Sequence, residues 1–340
     1  MAPAQIEVLV TIPFDDSLID QLRQISPRVK VIAQPARRVE EIPNEMWNRV
    51  EVLYTDRVLP DPTLVPALRW LQFHSAGIDF AVESPLLKNR NIVVTTLSGA
   101  AAPQMAEYAV TMMLALGHRL YEIYNSQDRV EWPHDRWERF GPTELRGSTV
   151  GIVGYGSIGR EIARLLQPFG TTILATKRDV RHPQDSGYTE DGLGDPEGNY
   201  FTRLYPIQAL KSMVKVCDYV IVCVPLTDET RSLIGEAELA AMKPTTRLIN
   251  IGRGGVVDQA ALFTALQERQ LAGAALDVFA EEPLPPGSPF WRMPNVIVTP
   301  HIGGMSAAYQ YRAMKLFMEN LKRYLEGITL LNRFDFTKGY

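Results

Sequence analysis

Gly154, Gly156 and Gly159 stand at the spacing of a turn that can hold a pyrophosphate. The segment reads Gly154-Tyr155-Gly156-Ser157-Ile158-Gly159. An apolar run, Thr149-Val150-Gly151-Ile152-Val153, precedes it, and a helical pattern from Ile158 to Phe169 follows, stopped by Gly170. Strand, glycine turn and helix in that order are what give such a motif its meaning. Gly154 permits the tight turn, Gly156 leaves the backbone open to an anion, and Gly159 lets the helix pack close to the sheet. Ser157 and Ile158 begin the helix, so their N–H groups and the positive end of the dipole face the anion. The chemistry implied is dinucleotide binding.

The next strand decides which dinucleotide. NAD-binding folds place a carboxylate about 20 residues on, at the end of the second strand, for the ribose hydroxyls. Here the strand Thr172 to Thr176 runs into Lys177 and Arg178. Two cations there suit a 2′-phosphate, and the planar Arg fork suits it best. NADP(H) is therefore the expected cofactor, with NAD(H) as the alternative. Asp179 carries that alternative, since a strand two residues longer would bring its carboxylate to the ribose.

Three more segments place ionisable groups at strand ends. They are Asn250-Ile251-Gly252-Arg253-Gly254-Gly255, Asp277-Val278-Phe279-Ala280-Glu281-Glu282-Pro283 and Thr299-Pro300-His301-Ile302-Gly303-Gly304. Carboxyl ends of strands are where open α/β sheets bind ligands. The other histidines, His74, His118, His134 and His182, lack such surroundings, although His74 directly precedes Ser75-Ala76-Gly77.

The elements that must position these groups alternate in type. Strand patterns cover Ile6–Val10, Val29–Ala33, Val52–Thr55, Leu71–His74 and Ile92–Thr95, with helices near Asp16–Gln24 and Asn44–Arg49. A long apolar helix, Ala102 to Leu120, follows, then a polar, aromatic stretch of irregular period from Tyr121 to Pro142. The second series adds strands at Tyr219–Val224, Arg247–Ile251, Ala274–Val278 and Val296–Thr299, with a helix from Ser306 to Leu325. Asp179 to Pro206 reads as one long Gly/Asp/Pro-rich loop, a length that implies a functional or mobile segment. Alternating strands and helices imply parallel sheets covered on both faces.

Composition narrows the class. A chain of 340 residues exceeds one ordinary core, so two domains are expected. The net charge of −4 argues against a dedicated nucleic-acid binder. Cys217 and Cys223, the only cysteines, exclude a disulfide framework, and no metal site is expected. The start lacks the pattern of a signal peptide, and the apolar run Ala109 to Gly117 is too short to cross a bilayer. A soluble cytoplasmic protein is expected, with no nucleic-acid or membrane partner.

Together, the glycine turn, the three strand-end segments and the entry Leu145-Arg146-Gly147-Ser148 resemble the D-isomer-specific 2-hydroxyacid dehydrogenase family over nearly the whole chain. The resemblance implies two doubly wound α/β domains with parallel sheets and a cleft between them. A Rossmann cofactor domain, residues 103–301, would be inserted into a flavodoxin-like substrate domain formed by residues 1–102 and 302–340. It also implies roles. Arg253 matches the arginine that binds the carboxylate of a 2-keto acid and polarises its carbonyl. His301 matches the general acid, and Glu282 the carboxylate that supports it, a neighbour that stabilises protonated imidazole. Ser75, Ala76 and Gly77 resemble the loop whose N–H groups hold the substrate carboxylate. Val224 and Pro225 fall beside the adenosine half, and Ile251, Asp277 and Gly303 fall among the other cofactor contacts. Met105 has two readings, nicotinamide contact or core. Trp132 and Trp137 lie in an arm that packs across a homodimer in the family.

The expected reaction is NADPH-dependent reduction of a small 2-keto acid, of the glyoxylate or hydroxypyruvate type, to the (R)-2-hydroxy acid. The alternatives are an NAD(H)-dependent D-2-hydroxyacid or phosphite dehydrogenase and, in another class, a dinucleotide-sensing corepressor-like binding protein. The 179–206 stretch is longer than the resemblance leads one to expect. A flap over the adenosine side and a decorative insertion are its two readings.

Overall fold

In a computed structural model of the chain, residues 5–89, 91–185 and 187–339 are described. The chain divides into two compact units, Met1–Ala101 with Ser306–Tyr340, and Ala102–Met305. The first holds five parallel strands: β1 (Ile6–Val10), β2 (Val29–Ala33), β3 (Val52–Thr55), β4 (Trp70–Phe73) and β5 (Val93–Thr95). Their order is β2-β1-β3-β4-β5, a doubly wound arrangement. The residues of β3 and β4 are all buried, because helices cover both faces of such a sheet. Trp47, Leu53, Leu71 and Phe73 lie in one core cluster there.

The second unit holds seven parallel strands: β6 (Thr149–Val153), β7 (Thr172–Lys177), β8 (Arg203–Pro206), β9 (Tyr219–Val222), β10 (Arg247–Asn250), β11 (Gly273–Leu276) and β12 (Val296–Val298). Their order is β12-β11-β10-β9-β6-β7-β8. The strand order reverses at β6, between its neighbours β7 and β9, which is the switch point where dinucleotides bind. Val220, Val222, Leu248 and Leu276 belong to the core of this unit.

Two expectations need correction. The stretch 179–206 is not a loop throughout, for its last four residues form β8, paired in parallel with β7 from Leu174↔Arg203 to Lys177↔Pro206. Arg203–Pro206 is an edge strand with no buried residue, so it carries no apolar run, and its Pro206 sits where an edge tolerates proline. Ser186 in that stretch, like the first four residues read for a signal peptide, lies outside the described residues. The irregular stretch 121–142 contains two helices, Leu120–Asp128 and Arg136–Phe140. Their exposed apolar residues obscure the period that marks a half-buried helix. Among the described residues, no helix is long and apolar enough to cross a membrane.

Candidate active site

The glycine turn follows β6 directly. Gly154 has φ +108°, and a Cβ there would lie 2.7 Å from Val224 Cγ1. A Cβ on Gly159 would lie 2.2 Å from the Gly154 carbonyl oxygen, so the helix can sit this close only with glycine. At Gly156 a Cβ would meet nothing within 4 Å, which leaves the backbone accessible on that side. The helix Ser157–Leu166 starts there with no side-chain cap. Thr176, in β7, fixes the turn from behind, taking Gly154 N–H on its Oγ1 at 3.1 Å and Tyr155 N–H on its carbonyl at 2.9 Å. Cys223 donates its thiol to the Gly154 carbonyl at 3.1 Å, and burial pushes that thiol up to about 12. An open glycine and an uncapped helix start beside the switch point fit a dinucleotide pyrophosphate.

The two cations after this strand are employed differently. β7 continues through Lys177. The Lys177 ammonium donates to the carbonyls of His182 and Gln184, the latter at 2.9 Å. Burial, and then the charge of Arg160, lowers its pKa. Arg178 extends to Glu229, Nη2 to Oε2 at 2.7 Å, in an exposed pair. Asp179 lies two residues beyond the strand, accepting from Arg181 N–H at 3.0 Å and lying 2.7 Å from His182 Nδ1. The hydrogen bond with His182 holds its carboxyl below the usual range.

The ionisable cluster lies at the ends of β10, β11 and β12. Asn250 braces the Arg253 turn, accepting from Gly252 N–H at 3.1 Å and donating to the Arg253 carbonyl at 3.1 Å. Gly254 is held against Phe279, whose backbone a Cβ would overlap at 1.9 Å. Arg253 itself has extended backbone, φ −142°. His301 Nδ1 lies 2.7 Å from Glu282 Oε2, and Glu282 Oε1 accepts from Phe279 N–H at 2.8 Å. Both side chains remain substantially exposed, 49% and 36%.

His301 has φ +54°, a left-handed backbone that costs a non-glycine residue about 1–3 kcal/mol unless its surroundings enforce it. Asp277 enforces it. Its carbonyl takes His301 N–H at 2.9 Å. Its buried carboxylate takes Thr299 Oγ1–H at 2.7 Å and the N–H groups of Ile302 and Gly303, each at 2.9 Å. Tyr108 OH lies 2.5 Å from Thr299 Oγ1, and burial pushes that phenol up to about 12. Met105 is buried, its Sδ packed at the Gly303–Gly304 turn.

In the first unit, Ser75, Ala76 and Gly77 follow β4. Ser75 Oγ donates to the Gly77 carbonyl at 3.1 Å, and the Ser75 carbonyl accepts from Leu97 N–H at 2.9 Å. Ala76 is exposed. His74 is packed edge-on against Phe14, Tyr54 and Tyr309. Its Nδ1 lies 2.7 Å from Tyr54 OH, and its carbonyl accepts from Tyr309 OH at 3.0 Å. Burial lowers the imidazole to about 4, so it is neutral near pH 7.

The second unit thus joins Gly154, Gly156, Ser157, Ile158 and Gly159 with Val224, and separately joins Glu282, His301, Gly303 and Asp277. Pro225 meets Thr230, whose hydroxyl donates to the Pro225 carbonyl at 2.6 Å. Ile251 is buried just past β10. Sequence reasoning missed Thr176, Tyr108 and Thr299. Thr299 was in view as part of the quoted Thr299-Pro300-His301. Tyr108 carries no local signal, being 191 residues from its partner.

Comparison with known proteins identifies the family. Residues 110–303 match the family model described as D-isomer specific 2-hydroxyacid dehydrogenase, NAD binding domain. A glyoxylate reductase of Thermofilum pendens is 37% identical over 264 residues, 77% of this chain and 73% of that protein. A glyoxylate reductase of Thermococcus gammatolerans is 32% identical over 344 residues, 96% of each. Among solved structures, a D-isomer specific 2-hydroxyacid dehydrogenase from Xanthobacter autotrophicus in complex with NADPH and MES has a TM-score of 0.79 at 26% identity. It covers 99% of this chain and 100% of that one. The chain belongs to the D-isomer specific 2-hydroxyacid dehydrogenase family and is an NAD(P)-dependent oxidoreductase.

Proposed function

We propose that this enzyme reduces a small 2-keto acid, of the glyoxylate or hydroxypyruvate type, to the (R)-2-hydroxy acid, with NADPH preferred to NADH. The observation that carries the reading is the His301–Glu282 pair, 2.7 Å apart on a left-handed turn, at the strand ends of the dinucleotide-binding unit. The relatives named glyoxylate reductase support the substrate class.

The nicotinamide supplies the hydride when bound. The turn at Gly154, Gly156, Ser157, Ile158 and Gly159 holds the pyrophosphate, with Val224, Pro225, Ile251, Asp277 and Gly303 as further cofactor contacts. Arg253 takes the substrate carboxylate and draws electron density from the carbonyl oxygen. Ser75, Ala76 and Gly77 offer small side chains and backbone N–H groups to the same kind of anion. His301 gives the forming alkoxide a proton, its Nδ1 kept on Glu282 so that the other nitrogen can serve.

Arg178 is the residue we assign to the 2′-phosphate. Its pair with Glu229 is exposed and therefore weak, so a phosphate dianion can displace it. Val130, Trp132 and Trp137, exposed by 94%, 83% and 75%, are assigned to a homodimer contact.

The test is oxidation of NADPH and NADH followed by absorbance with glyoxylate, hydroxypyruvate, pyruvate and phenylpyruvate. NADPH should outperform NADH, and glyoxylate and hydroxypyruvate should outperform phenylpyruvate. In Arg178→Ala the KM for NADPH should rise about tenfold while that for NADH stays within twofold, one charge-assisted contact being lost. A wild-type preference for NADH would overturn the cofactor choice, and turnover of phenylpyruvate alone would overturn the substrate class.

A further inference from the structure

Between β7 and β8, the segment spanning residues 178–202 is tied to the dinucleotide-binding turn by buried polar groups, and no step proposed above uses them. Tyr155, the residue between Gly154 and Gly156, is 2% exposed and reaches this segment with its side chain. Its hydroxyl donates to Asp195 Oδ2 at 2.6 Å. Asp195, also 2% exposed, accepts from Asn199 N–H at 2.7 Å and Tyr200 N–H at 2.9 Å. The Tyr155 ring lies between the Arg160 guanidinium, 4.8 Å from its centroid, and the edge of Phe201 at 5.2 Å. Arg160, 1% exposed, donates to the carbonyls of Asp195 and Pro183. Glu161, 2% exposed, accepts from Gly194 N–H at 2.6 Å. Lys177 closes the near end on the carbonyls of His182 and Gln184.

A surface decoration does not need this. Burying an arginine and two carboxylates is costly unless each is hydrogen-bonded, and here each is bonded into the segment or onto the turn's own helix. Thr176 holds the N–H groups of Gly154 and Tyr155 from the β7 side, and the Tyr155 side chain adds a second hold from the 178–202 segment. Glycines flank Tyr155, and they leave the backbone the widest choice of conformations. The N–H groups of the turn bind pyrophosphate only in one of those conformations, so any freedom left is lost on binding. Tyr155 is the side chain through which that freedom can be removed beforehand.

We propose that the 178–202 segment is a positioning element for the dinucleotide phosphates, acting through Asp195 on Tyr155. Asp195 touches no cofactor in this role. It sets the turn that does. The role does not depend on which cofactor is preferred, because NADPH and NADH share the pyrophosphate.

Two variants test it, Tyr155→Phe and Asp195→Asn, with Kd for each dinucleotide measured by quenching of protein fluorescence beside the steady-state constants. Tyr155→Phe keeps the ring between Arg160 and Phe201, so it decides the matter if Asp195→Asn does not fold. Each variant should raise Kd and KM for NADPH and NADH by the same factor, about five- to tenfold. The loss should fall on those constants, with kcat at saturation changing by less than twofold. Unchanged Kd values with a lowered melting temperature would reduce the cluster to a folding brace and overturn the proposal. A loss confined to NADPH would overturn it too, since it would locate the effect at the 2′-phosphate. A wild-type preference for NADH would remove the cofactor choice proposed above and leave this test standing.

Discussion

Two histidines end parallel strands in this protein, and the chain fixes them by opposite means. His301, past β12, is held by charge and hydrogen bonds. The buried Asp277 carboxylate takes three donors from Thr299, Ile302 and Gly303, and the histidine keeps a backbone conformation it would not choose. His74, past β4, is held by the ring edges of Phe14, Tyr54 and Tyr309 and by neutral hydrogen bonds with the two tyrosine hydroxyls, and burial keeps it neutral. The imidazole proposed to give the proton is left half exposed beside a carboxylate. One that must only support a loop is stripped of water and given aromatic edges. Environment, more than residue type, separates the two roles.

The largest expected effect comes from removing the proposed proton donor. His301→Asn should lower kcat for keto-acid reduction about 10²- to 10⁴-fold, the range for a general acid, with dinucleotide Kd within twofold. His74→Asn, measured alongside, should lower kcat by less than tenfold. Equal losses in the two variants would erase the distinction drawn between them.

Next in size is Asp277→Asn. The change is nearly isosteric, but an amide offers one oxygen where three donors converge. Its NH₂ must then face another N–H or O–H, at a cost of about 1–3 kcal/mol in a buried site. The His301 turn should relax from its left-handed conformation, and kcat should fall about 10- to 100-fold with a lower melting temperature. A variant that loses stability and keeps full kcat would show that the carboxylate holds the fold without setting the histidine.

Much of this was legible in the residues themselves. Strands β3, β4, β9, β10 and β11 are buried throughout, and most of the others carry a short apolar run, so hydrophobicity marks them. The glycine turn follows from local spacing, and the pairing of Glu282 with His301 from the resemblance to the family. What was not legible depends on contacts distant in the chain or on surfaces without a pattern. Lys177 reads as a phosphate ligand because nothing nearby says that its ammonium closes on His182 and Gln184. β8 is a partly exposed edge strand and leaves no apolar signature. Asp277 reads as a cofactor contact, and only the folded chain reveals how many of its acceptor positions are taken by the His301 turn.

The smallest effect concerns the neutral histidine, and its sign is fixed. His74 binds a proton at about 6.5 in an unfolded chain and at about 4 in the folded one. Between those values the unfolded chain carries more protons at this site, so stability rises with pH there. The contribution is complete above pH 6.5 and is lost progressively as the pH falls toward 4. Carboxylates titrate in part of the same window, so the wild-type profile alone does not isolate it. The difference between wild type and His74→Gln does. The variant is expected to melt lower at pH 7.5, having lost the aromatic contacts and the Tyr54 partner. The gap should then narrow as the pH drops from 6.5 to 4.5, because only the wild type forfeits the stabilisation of a neutral imidazole. A gap that stays constant over that range would mean that His74 titrates alike in the folded and unfolded chains, and that its aromatic surroundings do not strip it of water.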